Sequence, residues 1–157
     1  MSMSLESDVE VLRRIPFFQG FSGEHLKLIA FSAESRSLPD KLLLYDEGQL
    51  LHSAYVIVSG LLRGRHKAKD SDRVESREIG PGVMLGERAL ILDVRADEAV
   101  RVESRARVLQ IRKVMFRRLL QEYPDIAVTL RLRLTRSVLQ AAADFNAVGE
   151  RLKAVEF

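Results

Sequence analysis

Residues 85–100, LGERALILDVRADEAV, hold residue types and a spacing suited to binding an anion. Gly86 allows close backbone approach, Glu87 can order a sugar hydroxyl, and the backbone of a short helical turn around Arg88 and Ala89 can donate free N–H groups. The cation such a site requires is out of place. Ten residues past the glycine, where an arginine would grip a phosphate, stands Ala96, with Arg95 just before it and Asp97 and Glu98 just after.

Other chemistries find less support. With no cysteine, disulfides, thiolate metal sites and cysteine nucleophiles are excluded. His25, His52 and His66 fall in a helix, a turn and a strand end, with no metal-ligand spacing among them. GPGVMLG lacks the Gly-Lys-Ser/Thr of a Walker loop and the spacing of a dinucleotide fingerprint, so Gly80 and Gly82 read as turn glycines. No GxSxG elbow occurs, and no enzyme activity is expected. RGRHKAKDSDR is basic but carries Asp70 and Asp72 and no interleaved aromatics, which suits a solvated hairpin better than a nucleic-acid surface.

The chain of 157 residues is long enough for one domain with a core. Its 25 basic and 22 acidic residues leave a net charge of +3, a small excess scattered along the chain. The first residues, MSMSLESDVE, lack the basic and apolar regions of a signal peptide, and no apolar run reaches membrane-spanning length. A soluble, cytoplasmic protein is expected, with no membrane and no nucleic-acid partner.

The elements that must position the anion cassette can be read from periodicity. Over residues 8–31, Val9, Leu12 and Ile15 share a helical face, Pro16 breaks the run, and Ser22 caps a second helix with Leu26, Ile29 and Ala30 inward. From Ser37 to about Ile111 the chain becomes short apolar runs cut by turns at Gly48, Gly60 and Gly80–Gly82, with 67–73 a charged hairpin loop. That rhythm predicts a small all-β barrel or jelly roll. Helical periodicity returns at Lys113, with Phe116, Leu119 and Leu120 on one side and a stop before Pro124. One long C-terminal helix follows, weakened at Gly149. The expected fold is mainly β with flanking helices: one domain over 1–157, with N-terminal helices at 1–36, a β-barrel at 37–112 and C-terminal helices at 113–157.

This order of parts resembles the cyclic-nucleotide-binding domain family, the sensor module of catabolite-activator-type regulators and of cyclic-nucleotide-dependent kinases. The resemblance runs from LRRIPFFQGFS to LRLRLTRSV. It rests on Pro16, Phe18, Gly48, Tyr55, Ile57, Gly60, Gly82 through Glu87, Phe116 and Pro124. One departure is LPDK, where the family usually has Gly-Glu at Asp40-Lys41. The family cassette reads roughly Gly-Glu-x-Ala-Leu, a short stretch, then Pro-Arg-Ala-Ala-Ser/Thr-Val. Aligned without gaps, Gly86, Glu87, Ala89, Leu90 and Val100 match. Ala96 then falls on the phosphate arginine, Arg95 on the proline and Ala99 on the hydroxyl residue, with Asp97 and Glu98 between.

The resemblance therefore implies a sensor domain with half a site. A charge-assisted hydrogen bond is worth about 1.5–3 kcal/mol, so its loss alone weakens binding roughly ten- to hundredfold. Asp97 and Glu98 would repel phosphate further if they face the pocket, whereas Arg95 or Arg88 can replace part of the missing charge. Whether Gly86 and Glu87 hold a ligand or only shape a turn stays open. The ligand, if any, is a cyclic nucleotide such as cyclic AMP or another phosphate-bearing molecule; no haem ligand stands out. The alternative is a degenerate domain acting as a dimeric interaction module, with a protein partner not identifiable from sequence. No DNA binding is expected, because the sequence given ends at Phe157 without a helix-turn-helix. Leu134, Val138, Ala141, Phe145, Val148 and Leu152 follow steps of four and three, a heptad seam that predicts a homodimer through the C-terminal helix. A second stripe, Val128, Leu132, Leu139 and Ala142, is free to pack on the barrel.

Overall fold

The computed structural model describes the backbone of residues 2–68 and 72–155, and the side chains in those ranges apart from 2–3, 137–138, 140–141 and 144–155. Helix α1 (Ser2–Arg13) begins six residues before the apolar periodicity does. A 3-10 turn at Pro16–Phe18 follows, since Pro16 has no N–H to continue a helix. Helix α2 (Gly23–Ser32) is capped by Ser22, whose side chain accepts the His25 backbone N–H at 3.1 Å. Val9, Leu12, Ile15, Leu26 and Ile29 are buried, along the stripe the periodicity marks.

Six strands form one mostly antiparallel sheet: β1 (Glu34–Leu38), β2 (Leu43–Tyr45), β3 (Ser53–Lys67), β4 (Val74–Ile79), β5 (Met84–Leu85) and β6 (Ala99–Arg112). The hydrogen-bonded order is β1-β6-β3-β4, with β2 also on β6 and β5 on β3. The architecture is the jelly roll expected, but the sheet is not closed into a barrel. Two long strands, β3 and β6, dominate it where the sequence predicts short runs cut by turns. Gly60 does not end a strand. It sits inside β3 at φ 91, where a Cβ would lie 2.3 Å from the Arg105 carbonyl oxygen on β6. The β3–β6 register slips on both sides of it, so the glycine marks a bend with close backbone approach.

Along β6, Val100, Val102, Ala106 and Val108 alternate inward and meet Leu38, Ile57, Leu62 and Ile79 in the core. The LPDK turn is also clarified. Its left-handed residue is Lys41, at φ 71, so a glycine would serve at position 41 rather than 40. Asp40 instead accepts the Arg105 backbone N–H through Oδ1 at 2.6 Å.

Helix α3 (Lys113–Glu122) buries Phe116 and Leu119. The chain divides into two compact units, Met1–Leu119 and Leu120–Phe157. The second consists of the end of α3 and helix α4 (Pro124–Val155), which the Ile126 N–H opens by donating to the Tyr123 carbonyl at 3.0 Å. Val128, Leu132, Leu139 and Ala142 are exposed. Of the proposed seam, Leu134 is exposed, while the side chains of Val138, Ala141, Phe145, Val148 and Leu152 lie outside the described residues. No helix among the described residues is long and apolar enough to cross a membrane.

Candidate functional site

The cassette turns where the glycine requires it. Gly86 follows β5 at φ 71, and a Cβ on it would lie 3.0 Å from the Ser53 carbonyl oxygen. A 3-10 turn over Glu87–Leu90 comes next. Ala89 and Leu90 are buried and anchor it, and the Ala89 N–H donates to the Gly86 carbonyl at 2.9 Å. That N–H is therefore spent inside the turn. Glu87 and Arg88 are exposed, and neither side chain has a hydrogen bond or ion pair among the described residues, although the Arg88 carbonyl accepts from the Ile91 and Leu92 N–H groups.

A cavity of about 530 Å³ opens beside this turn. Gly86, Glu87, Arg88, Arg95, Asp97 and Glu98 line it, so most of the residues singled out in the sequence do converge. Ala96 and Ala99 are not among its walls. Ala96 is buried and tied by backbone bonds to the loop after β2: its N–H donates to Gln49 at 2.8 Å and its carbonyl accepts from Gly48 at 2.7 Å. Ala99 pairs with Arg65 and lines a different cavity with Lys41, Arg63 and Arg101. Arg95 is engaged too, its Nη1 donating to the Gly48 carbonyl at 3.0 Å.

The decisive cation in the cavity, Arg77, escapes the sequence reading. It comes from β4, where VESRE shows no alternation and every side chain from Val74 to Glu78 is exposed. Its partner is Glu98, 7% exposed on the same inward row as Ala96, Val100 and Val102. Arg77 Nε lies 3.1 Å from both carboxylate oxygens and Nη2 lies 2.5 Å from Oε1. The sheet register explains how the two meet. Val100 on β6 stands opposite Gly64 on β3, which stands opposite Arg77 on β4. Glu98, two residues before Val100, reaches across the middle strand only because position 64 has no side chain; a Cβ there would lie 2.3 Å from Glu98 Oε2. The pairing was foreshadowed only by the lone carboxylate on an apolar row, which must find a cation.

The electrostatics follow from that pair. Its hydrogen bond to Glu98 raises the Arg77 pKa above the ordinary arginine value. Burial pushes the Tyr45 phenol well above its usual range, with the Glu98 charge adding to the effect. Arg77, Arg88 and Arg95 face Glu87, Asp97 and Glu98 across the cavity, three charges of each sign. A second cavity of about 740 Å³ shares Arg77, Asp97 and Glu98 with the first and includes His66, which pairs with Glu75 at 3.2 Å. No group of three or more His, Asp or Glu side chains among the described residues is set to hold a metal ion.

Beyond the cavity, Asp93 ties the loop after the cassette to the start of α3. Lys113 Nζ lies 2.5 Å from Asp93 Oδ1, and the Lys113 N–H donates to the His52 carbonyl. The lysine hydrogen bond lowers the Asp93 pKa from its ordinary 3.8.

The family model of the cyclic nucleotide-binding domain matches residues 35–123, which run from β1 through α3 and contain the whole cassette. The chain belongs to this family. A cyclic nucleotide-binding-like protein from Brucella abortus bv. 1 str. 9-941 is 33% identical, with a TM-score of 0.65 over 73% of this chain and 97% of that one. The N-terminal domain of a transcriptional regulator from Streptomyces coelicolor A3(2) superposes with a TM-score of 0.79 at 20% identity, over 86% of this chain and 94% of that one. The regulatory domain of Toxoplasma gondii PKA, solved with cAMP, gives 0.68 at 15% identity, over 88% of this chain and 51% of that one. The last two likenesses establish the fold alone. No curated protein matches the chain. Within this cyclic nucleotide-binding domain Ala96 is buried, and the charged side chain next along its inward row is the Glu98 carboxylate.

Proposed function

We propose that this domain is a non-enzymatic regulatory sensor in which the cassette survives as structure while cyclic nucleotides bind weakly or not at all. The observation that carries this reading is Glu98, an inward carboxylate that already holds the guanidinium of Arg77 at the cassette cavity. A cyclic phosphate entering there meets Glu98 and Asp97 and finds no arginine in the Ala96 register, and like charges at this range are repulsive. Among the described residues, Arg88 is the arginine of the cavity whose side chain has no partner, and it sets what residual affinity exists; Arg95 would first have to leave Gly48. Calorimetric titration with cyclic AMP, cyclic GMP, cyclic di-GMP and inorganic phosphate tests the proposal. No saturable heat is expected in the low-micromolar range, and a dissociation constant there or tighter for cyclic AMP overturns it.

A second reading is an interaction module, which the exposure of Val128, Leu132 and Leu139 on α4 favours. Apolar side chains 51–65% exposed on one helix suit a contact with a second copy or with another protein. A homodimer through α4 is compatible with either function. We place the protein in the cytoplasm.

A further inference from the structure

We propose that Glu98 is an intramolecular ligand: its carboxylate occupies the anion seat of the cassette cavity, and Arg77 is the latent anion-binding cation beneath it. The inference deepens the reading of a nucleotide-poor cavity and rests on it, since it names the group that fills the seat. Three observations meet at this point. The carboxylate is bidentate on Arg77, with both oxygens engaged, the geometry in which a guanidinium takes any free carboxylate or phosphate. It lies flat over Gly64, a strand glycine outside the left-handed region whose missing side chain supplies the space. Arg77, for its part, is not locked in the core: its side chain is 55% exposed while that of Glu98 is 10% exposed. A pair serving only to hold strands together has no need of an open cation above a buried anion. A tethered anion does, because its cation must face the entrance from which a free anion would come.

The pair also lines both cavities, so the Glu98 side chain stands between them. Shortening it to alanine removes one methylene and the carboxylate, which is the composition of acetate. It leaves Arg77 solvated rather than buried, so the domain should still fold. An anion from solution can then take the vacated place, and what it brings must be a planar carboxylate or a phosphate-type group.

The test is chemical rescue of Glu98→Ala, with chloride at matched ionic strength as the reference. Acetate, and separately inorganic phosphate, should raise the melting midpoint of Glu98→Ala over roughly 10–100 mM by mass action. Neither should shift the unmodified protein or the double variant Arg77→Met with Glu98→Ala. A Glu98→Ala variant that does not respond overturns the inference, as does a double variant that responds equally, because the anion would then sit elsewhere. Should Glu98→Ala fail to fold, the Arg77 Nε–H resonance of the unmodified protein decides. It should be protected from solvent exchange and lose that protection in Glu98→Gln; an unprotected Nε–H in the unmodified protein overturns the assignment. Tight cyclic AMP binding by the unmodified protein would instead sink the functional reading, so the two failures are distinguishable.

Discussion

Substituting Gly64 by alanine should reverse its effect on stability according to what stands at position 98. Gly64 has no positive φ, so an alanine there meets no backbone strain. Replacing a strand glycine at a compatible site normally stabilises by about 0.4–1 kcal/mol, because the unfolded chain loses freedom. In this domain the new Cβ would lie 2.3 Å from Glu98 Oε2 and 2.6 Å from Cδ. To regain ordinary contact at about 3.4 Å the carboxylate must retreat by roughly 1 Å. That movement pulls it out of line with Arg77, whose contacts are 2.5–3.1 Å long. Charge-assisted hydrogen bonds are worth about 1.5–3 kcal/mol, and the exposure of Arg77 reduces that to about 1–2. The loss exceeds the entropic gain, so Gly64→Ala should cost about 1 kcal/mol in the unmodified protein. With Glu98→Ala in place nothing obstructs the Cβ, and the same change should stabilise by about 0.5 kcal/mol. Urea titration of the four proteins yields the coupling free energy, about 1.5 kcal/mol between the two sites. Equal effects of Gly64→Ala in both backgrounds would show that Glu98 does not rest on Gly64.

The Asp93–Lys113 contact carries a pH signature. Because the folded Asp93 pKa lies below its ordinary 3.8, the contact contributes fully above that value and is lost as pH falls through the lowered one; the deficit of Asp93→Asn in urea should be constant from pH 7 to 5 and vanish in more acidic buffer. Freeing the anion site should need Asp97→Ser and Glu98→Ala but no change at Ala96 or Ala99, neither of which lines the cavity; calorimetry should then register at least about a tenfold gain in cyclic AMP affinity, and none if the turn no longer admits a nucleotide. Light scattering at micromolar concentration should give twice the chain mass, reduced to one by Phe145→Glu; a monomeric unmodified protein would refute the heptad seam.

How much of this was legible in the residues depends on whether the signal was local. Ser22 as a cap, Pro16 as a break, and the burial of Leu12 and Ile29 are properties of neighbouring residues, and periodicity reveals them. The cassette was legible for the same reason: Gly86 to Glu98 is one ungapped stretch, and Asp97 and Glu98 do face the cavity. Gly60 was misleading, and Gly64 gave no signal, because a glycine in a strand marks either a turn or a place where something approaches closely, and only the partner tells which. At Gly60 the partner is the Arg105 carbonyl oxygen, and at Gly64 it is the Glu98 carboxylate. Ala99 was set in the site by counting alone, and the pleat turns it to the other side of β6 from Glu98 and Val100.

Arg77 shows why the centre of the site could not be read in order along the chain. It is 21 residues from Glu98, in a strand with no inward row of its own, and nothing near it distinguishes it from Arg73 or Arg63. What selects it is the register of three strands, which sets Arg77, Gly64 and Val100 in one line and leaves the middle position without a side chain. Each of the three would be unremarked alone. A carboxylate on an apolar row needs a cation, a cation on the far strand needs a gap to be reached across, and a glycine between them supplies it. The domain that lacks an arginine in the phosphate register therefore carries both members of an anion–guanidinium pair within its own sheet. That self-sufficiency, more than the absence of one arginine, is what supports the proposal of a cavity that does not depend on a cyclic phosphate.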